Sequence, residues 1–355
     1  MRTSFAVIGG GAVGLATAAD LVRRGCSDLR ICETDAKTVE ALRKAGGVRY
    51  DGLIGSGFAP VRLITTSHAD AVDGADVVMV STTADAHPAV AAALAPILVD
   101  GQVVLLHQGY LAGALLFERN LRTYDCHAEV VLAETGTSVY SCARMAPNAV
   151  FVNGVKAWTE ITSFPAGVEE QIIAMLGKAF PQLEPGTNTL ETGLNNPNPS
   201  GHIPDYVFNL GLAKDDRARG TFHFRELWTE PVQRVKAQME SERLAVMSAM
   251  GFDGLTRDEF VRRCYPPGSG TRILAGAPRI GPELLPRYIW EDVPAGLVPL
   301  VALAAASGVK APVCQMILDV VCLLFEADFV ENGRNLQQLG IGELGPGEII
   351  ALFKG

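Results

Sequence analysis

The chain has no Cys-x-x-Cys pair, no basic run and no unbroken apolar segment of membrane-spanning length. Its seven cysteines are scattered and no histidines cluster beside them, which predicts reduced thiols in a cytoplasmic protein and no metal site. With 30 Lys and Arg against 39 Asp and Glu, it lacks the basic surface that binds nucleic acid or anionic membranes. Gly308, Lys310, Gln315 and Asp319 interrupt the apolar stretches between 295 and 325, which predicts buried helices and no membrane span.

Length and composition predict two domains. The chain has 355 residues, of which 48% are hydrophobic, enough for two separate cores. The clearest change in composition lies between Pro185 and Pro204, a stretch rich in Pro, Asn, Gly and Thr. Strand-like and helix-like patterns alternate before it, and helical patterns follow it. We therefore predict a Rossmann-type, doubly wound parallel sheet in residues 1–185 and a mainly helical substrate and catalytic domain in residues 186–355.

The first strand–helix junction carries a dinucleotide-binding pattern. An apolar run from Ser4 to Ile8 precedes a glycine-rich turn, and a helical pattern follows it. The first glycine permits a tight turn, the second lets a pyrophosphate approach the backbone, and the third lets helix and strand pack closely. The cofactor-binding residues predicted in this turn are Gly9, Gly11, Ala12, Val13 and Gly14.

An acidic residue ends the second predicted strand. Glu33 follows Leu29 to Cys32 and lies 19 residues after Gly14. A carboxylate there accepts hydrogen bonds from a ribose diol and repels a 2′-phosphate. NAD(H) is therefore favoured, while the nearby Arg30 and Lys37 leave NADP(H) open. The alternative for Glu33 is a solvated strand end.

Polar residues follow three further predicted strands. Thr82, Gln108 and the pair Glu134-Thr135 each lie at or just beyond the carboxyl end of an apolar run. Because ligands of doubly wound sheets bind at the carboxyl ends of the strands, we expect Thr82 in the cofactor site and the other three in the substrate site. Each of them is also compatible with an ordinary loop residue.

The second half contains the residue types that reduction of a carbonyl or imine requires. His202 follows Asn195-Asn196-Pro197-Asn198, a proline-stiffened segment that predicts either a rigid polar site or a loop leading into a helix. Imidazole donates a proton near neutral pH, Asp292 has the carboxylate to orient it, and Arg287 can bind a substrate carboxylate in bidentate fashion. The sequence alone does not bring them together, and a structural Arg287–Asp292 ion pair stays open.

Taken together, these motifs resemble those of the opine dehydrogenase family, which includes the octopine, nopaline and carboxyethyl-norvaline dehydrogenases. The segments that carry the resemblance, besides the glycine turn, are Glu134-Thr135 with Cys142 and Arg144, Asn195 to His202, Arg287-Tyr288 to Glu291-Asp292-Val293, Gly296 to Pro299, Asp328-Phe329 with Gly333-Arg334, and Leu339-Gly340. The resemblance implies a C-terminal domain like that of 6-phosphogluconate dehydrogenase. It also implies NAD(P)H-dependent condensation of an L-amino acid with a pyruvate-like α-keto acid to an N-(carboxyalkyl)amino acid, and the reverse oxidation.

The resemblance also implies roles for individual residues. His202 would be the general acid–base, Asp292 its orienting partner, Arg287 the carboxylate-binding cation and Asn198 a polar support beside the histidine. The positions implied for the keto acid are those of Gln108, Glu134 and Thr135. The expected partners are small-molecule substrates. The apolar C-terminal helices are compatible both with burial within the domain and with a homodimer interface, so the oligomeric state stays open.

Two other functions stay open at this stage. One is a simple keto-acid or hydroxy-acid dehydrogenase like ketopantoate reductase, which would use Lys236 or Lys214 as its acid. The other is an NAD(H)-binding protein without catalysis. The amine side chain is not readable from the sequence, although Tyr206, Trp228 and Tyr265 are candidates for its pocket. Asp205, which departs from the family pattern, could contact an amine or compete for His202.

Overall fold

The N-terminal half is built on β-sheets. The computed structural model describes residues 3–214, 228–267 and 287–354. Its strands are β1 (Phe5–Ile8), β2 (Leu29–Cys32), β3 (Gly47–Gly52), β4 (Gly57–Pro60), β5 (Leu63–Thr65), β6 (Val77–Val80), β7 (Val103–Leu106), β8 (Val131–Thr135), β9 (Tyr140–Ala146), β10 (Ala149–Val155), β11 (Thr159–Phe164) and β12 (Leu183–Pro185).

Eight of these strands form the main sheet in the order β12-β11-β8-β7-β6-β1-β2-β5. Six neighbouring strands run parallel, namely β8, β7, β6, β1, β2 and β5 in the order of the sheet. Strand β11 is antiparallel to β8. All four residues of β1, β2, β6 and β7 are buried, as expected for parallel strands covered on both faces. The predicted doubly wound sheet is thus confirmed, with its order reversing beside β1.

A second sheet, which the sequence did not predict, has the order β4-β3-β10-β9. It packs across the first helix after β1 and completes one of the two large hydrophobic clusters. Its first two strands begin at Gly47 and Gly57, and most of their side chains are not fully buried. Strands with glycines and without clear alternation give little periodic signal, which is why they were missed.

The helices surround the main sheet and make up the described elements that follow β12. Their bounds are α1 (Ala12–Arg23), α2 (Ala36–Ala45), α3 (His68–Val72), α4 (His87–Leu94), α5 (Gly113–Thr123), α6 (Glu169–Leu176), α7 (Thr189–Leu194), α8 (Asn198–Val207), α9 (Leu210–Lys214), α10 (Glu230–Ala249), α11 (Arg257–Cys264), α12 (Arg287–Trp290), α13 (Val298–Ala306), α14 (Pro312–Phe325), α15 (Phe329–Asn332) and α16 (Pro346–Lys354). Short 3₁₀ turns occupy Ala84–Ala86 and Gly177–Ala179, and a π-helical turn occupies Val293–Leu297.

The asparagine-rich segment is a short link followed by a helix. Asn195, Asn196 and Pro197 connect α7 to α8, and Asn198 is the first residue of α8. Pro199 is accommodated because the first turn of a helix needs no backbone donor there. Pro204 sits inside α8, where it removes one backbone donor.

One hydrophobic cluster joins both halves of the chain. It contains Val80 and Leu106 from the main sheet together with Leu297 and Val321 from the helices that follow. The helical stretch Arg287–Ala306 has the length and hydropathy of a membrane span, but 67% of its most apolar window is buried inside the protein. It is the central core helix of the second half, interrupted by the π-helical turn.

Candidate active site

Strand register brings the predicted site residues to one edge of the main sheet. Ile8 pairs with both Cys32 and Val80, Val80 pairs with Leu106, and Leu106 pairs with Glu134. The residues that follow these pairs therefore lie side by side at the carboxyl edge, where doubly wound sheets bind nucleotides.

The glycine turn has the geometry of a dinucleotide cradle. Gly9 has φ +106°, which strains any side-chain-bearing residue. A Cβ on Gly14 would lie 1.9 Å from the Gly9 carbonyl oxygen, whereas a Cβ on Gly11 would meet no atom within 4 Å. Gly11 is the N-cap residue of α1 and supplies no side-chain cap. The helix N-terminus thus directs its backbone donors into open space, as a pyrophosphate site requires, and the residues present fit the cofactor.

Glu33 is fixed at the end of β2. One carboxylate oxygen accepts a hydrogen bond from the Gly10 backbone N–H at 2.7 Å, and the other accepts one from the Asp35 N–H at 2.9 Å. The side chain is only partly exposed. A carboxylate therefore stands directly beside the glycine turn.

Several buried polar atoms at the same edge have no hydrogen-bond partner within the described part of the chain. They are the Thr82 and Thr135 hydroxyls and the Gln108 side-chain amide nitrogen. Buried polar groups are normally satisfied, so these atoms are suited to bind a ligand. The Thr82 methyl group also contacts the glycine turn, 3.0 Å from where a Gly9 Cβ would be.

Glu134 lies beneath this edge and not on it. Its side chain is fully buried and accepts a hydrogen bond from the Ala114 N–H at 2.5 Å, at the start of α5. Burial raises the pKa of this carboxyl to about 8, although the α5 backbone and Arg334 partly offset that effect. One Glu134 oxygen is thus bound at the start of α5, while the other, Oε1, is buried and has no hydrogen-bond partner in the described part of the chain.

His202 and Asp292, which are 90 residues apart, form a hydrogen-bonded pair. His202 Nδ1 lies 2.9 Å from Asp292 Oδ2, with the two side chains 20% and 1% exposed. His202 projects from α8, and Asp292 directly precedes the π-helical turn. The Tyr288 ring lies 4.3 Å from the imidazole, centroid to centroid. Because Nδ1 faces the Asp292 carboxylate, that carboxylate fixes the orientation of the imidazole ring.

Arg287 pairs with Glu291 and not with Asp292. Its Nη1 lies 3.2 Å from Glu291 Oε2, and 39% of its side chain is exposed. The other Glu291 oxygen accepts a hydrogen bond from the Ala84 N–H at 3.1 Å, two residues beyond Thr82. Burial raises the pKa of Glu291 to about 7, and Arg287 partly offsets that effect. Glu291, which sequence reasoning did not single out, thus connects the arginine to the nucleotide side of the site.

Within the described ranges, the Asp205 side chain pairs with Lys236 and Trp228. It is buried and accepts hydrogen bonds from Lys236 Nζ at 2.8 and 2.9 Å and from Trp228 Nε1 at 2.8 Å. Burial lowers the pKa of Lys236 to about 8, against the opposing effect of Asp205. The Lys214 side chain lies outside the described residues. Asn198 is one helical turn before His202 on α8, and its N–H donates to Asn196 Oδ1 at 2.9 Å.

Tyr110 completes the site and was missed by sequence reasoning. Its hydroxyl donates to Asp292 Oδ1 at 2.5 Å. A tyrosine two residues after a predicted substrate-binding glutamine carries no signal that it meets a carboxylate 182 positions away. Tyr206 is buried against Phe325, which is a core position and not a pocket wall.

A nucleotide-binding sheet edge beside a hydrogen-bonded His–Asp pair and a partly exposed arginine is typical of a nicotinamide dinucleotide-dependent dehydrogenase. A family model for NAD/NADP octopine/nopaline dehydrogenases, alpha-helical domain, matches residues 185–324. One for coenzyme F420-dependent NADP oxidoreductases matches residues 4–105. An opine dehydrogenase from Arthrobacter sp. (strain 1C) is 30% identical over 348 residues, 96% of each chain. The chain therefore belongs to the opine dehydrogenase family of oxidoreductases that act on CH–NH bonds.

Solved structures show the same fold. Octopine dehydrogenase in complex with NADH and agmatine superposes with a TM-score of 0.74 at 18% identity, covering 98% of both chains. A ketopantoate reductase from Ralstonia eutropha superposes with a TM-score of 0.65 at 20% identity, covering 91% of this chain and 99% of that one. The fold alone is thus shared with a ketopantoate reductase.

Proposed function

We propose that this enzyme condenses an L-amino acid with a pyruvate-like α-keto acid and reduces the resulting imine to a secondary-amine dicarboxylate, preferring NADH. The observation that carries the proposal is the 2.9 Å His202–Asp292 pair beside Arg287 at the nucleotide edge. A simple reductase that used Lys236 would need that ammonium available to substrate, yet it is 4% exposed and bound to Asp205.

Each group has a distinct task in this reaction. Arg287 binds the keto-acid carboxylate, and the unpartnered Gln108 and Thr135 atoms contact the rest of that substrate. The free amine attacks the carbonyl carbon, and the C–O bond then breaks as His202 protonates the departing oxygen, which leaves as water. Asp292 orients the imidazole and stabilises its charged form. NADH, when bound, supplies the hydride that reduces the imine carbon.

The cofactor preference is assigned to Glu33. Its fixed carboxylate is suited to accept hydrogen bonds from the adenosine ribose diol and to repel a 2′-phosphate. Gly11 and the α1 N-terminus would hold the pyrophosphate, together with Gly9, Ala12, Val13 and Gly14 of the same turn. Thr82 would contact the cofactor from the end of β6.

The test is NADH oxidation with pyruvate, with and without a panel of L-amino acids, with mass spectrometry of the product. We expect oxidation to require an amine and the product mass to equal that of the two substrates minus one oxygen. The His202→Gln variant should lose roughly 10²- to 10⁴-fold in kcat while still binding NADH.

The matched control is His127→Gln, which changes an exposed histidine and should retain full activity. Reduction of pyruvate alone at a comparable rate would instead support the ketopantoate-reductase-like function. Binding of NADH without turnover on any keto acid and amine pair would support a non-catalytic role.

We also propose that the enzyme is a cytoplasmic homodimer, with its domain boundary after Pro185. All seven cysteines are free, as in a reducing compartment.

The proposed dimer surface is an exposed apolar face of α14. Three of its side chains, Met316, Leu323 and Leu324, are 46%, 78% and 45% exposed. A second copy of the chain that covers this face would remove a large apolar surface from water.

A further inference from the structure

We propose that Tyr110 is a positioning residue that sets how tightly the Asp292–His202 pair holds its proton. The proposal rests on the acid–base role of His202 in the proposed function. Tyr110 is assigned no contact with substrate or cofactor. It acts through the Asp292 carboxylate, to which His202 is also bound.

Asp292 is held from both sides. Tyr110 donates to Oδ1 at 2.5 Å, while His202 lies 2.9 Å from Oδ2. Both Tyr110 and Asp292 are only 1% exposed, so water does not replace either partner easily. Burial, followed by the negative charge of Asp292, raises the pKa of Tyr110 well above its ordinary value. The phenol therefore remains a donor throughout the working pH range.

The backbone around Tyr110 is strained and firmly anchored. Gln108, Tyr110 and Ala112 have φ values of 151°, 61° and 55°, a region that residues with side chains seldom occupy. The Arg334 guanidinium donates to the carbonyl oxygens of Gly109 at 2.6 Å and Leu111 at 3.3 Å, the two neighbours of Tyr110. Strain kept at one tyrosine by a buried arginine indicates that the position of its hydroxyl matters.

The shared carboxylate makes the electrostatic effect predictable. A hydrogen bond from a neutral phenol stabilises the Asp292 anion and reduces its pull on the imidazolium proton. Among the residues that the structure describes, the other charged or titratable groups around the pair are Arg287 and Glu291 from the same helical stretch, Tyr288 against the imidazole, and Asp205 with its partner Lys236. The Tyr110→Phe substitution alters none of these groups. The His202–Asp292 pair should therefore release its proton at higher pH when the phenol hydroxyl is removed.

The experiment compares Tyr110→Phe with Tyr140→Phe. Tyr140 is an equally suitable buried tyrosine, since it is 5% exposed and donates to Asp20 at 3.0 Å. For Tyr110→Phe we expect roughly tenfold lower kcat with little change in KM for the keto acid. The alkaline limb of the kcat/KM profile in the condensing direction should move up by about one pH unit. Tyr140→Phe should keep the wild-type kcat and profile.

A second measurement does not depend on the substrates. NMR titration of the histidine rings, with the His202 signal identified by its loss in His202→Gln, should show His202 titrating at higher pH in Tyr110→Phe than in the wild type. An unchanged titration together with an unchanged kcat/KM profile overturns the proposal and leaves Tyr110 a purely structural residue. Absence of amine-dependent NADH oxidation with the NMR shift intact overturns the proposed function instead.

Discussion

At the scale of the single residue, the nucleotide preference is proposed to depend on the Glu33 carboxylate. The Gly10 and Asp35 backbone N–H groups hold this carboxylate beside the glycine turn. In Glu33→Gln the acceptor oxygen remains but the charge that repels a 2′-phosphate is lost. We expect the preference for NADH over NADPH, measured as the ratio of kcat/KM values, to fall by roughly tenfold.

The control for this prediction is Glu40→Gln, which removes an exposed carboxylate from α2. It changes the net charge of the chain equally but leaves the edge of the sheet untouched. If both variants shift the ratio to the same extent, general electrostatics and not Glu33 determines the preference.

At the scale of the structural element, Gly11 and Gly14 have different roles in the glycine turn that leads into α1. In Gly14→Ala the new methyl group would lie 1.9 Å from the Gly9 carbonyl, so helix and strand must separate. We expect this variant to lose at least about 1–3 kcal/mol in the free energy of unfolding, measured with urea. In Gly11→Ala the methyl group enters open space, at a backbone φ of −71° that alanine tolerates.

Gly11→Ala should therefore fold with a loss below about 1 kcal/mol but raise KM for NADH by roughly tenfold or more, because the methyl group occupies the place of the pyrophosphate. The two variants control for each other, since both add one methyl group to the same turn. Equal losses of stability would show that the space at Gly11 is not kept for a ligand.

At the scale of the whole molecule, buried histidines make stability depend on pH. His87 and His107 are 1% and 3% exposed, and burial, followed by Arg334 and Lys156 respectively, lowers the pKa of each from 6.5 to about 3. In the unfolded chain both imidazoles bind a proton as the pH falls through about 6.5, whereas in the folded chain they stay neutral. The stabilisation that the two neutral histidines give to the folded state is therefore complete above pH 6.5 and is lost as the pH falls towards 3.

In His107→Gln one of these groups no longer titrates. We expect the stability of the wild type relative to this variant to fall by about 1.4 kcal/mol per pH unit between pH 6 and pH 4, measured by urea unfolding. His127→Gln, which changes an exposed histidine, should run parallel to the wild type. A constant difference between wild type and His107→Gln would mean that His107 is protonated in the folded protein.

The exposed apolar face of α14, formed by Met316, Leu323 and Leu324, bears on the assembly of the whole molecule. If a second copy covers it, Leu323→Lys should convert the dimer to a monomer without unfolding it, because a charge would have to be buried in the interface. Sedimentation velocity measures this directly. Val99→Lys, at a position that is 58% exposed on the other half of the chain, should leave the sedimentation coefficient unchanged, and a monomeric wild type would contradict the proposal.

The sequence by itself determined the features that depend on local chemistry. A strand, three glycines at the G-x-G-x-x-G spacing and a helix predict a dinucleotide turn, because that turn depends on backbone angles and close approach. The buried parallel strands were predictable for the same kind of reason, since continuous apolar runs need cover on both faces. His202, Asp292 and Arg287 could be selected by residue type and by the family resemblance.

Tertiary structure alone decided which of these residues meet. The Tyr110 hydroxyl donates a hydrogen bond to Asp292, which lies 182 positions away in the chain. Arg287 forms its ion pair with Glu291 and not with Asp292. Glu134 shares the strand end with Thr135 but turns into the core, where α5 supplies its donor. Such partnerships depend on how the π-helical turn, α8 and the strained turn after β7 pack together, and packing between distant segments leaves no periodic trace in the sequence.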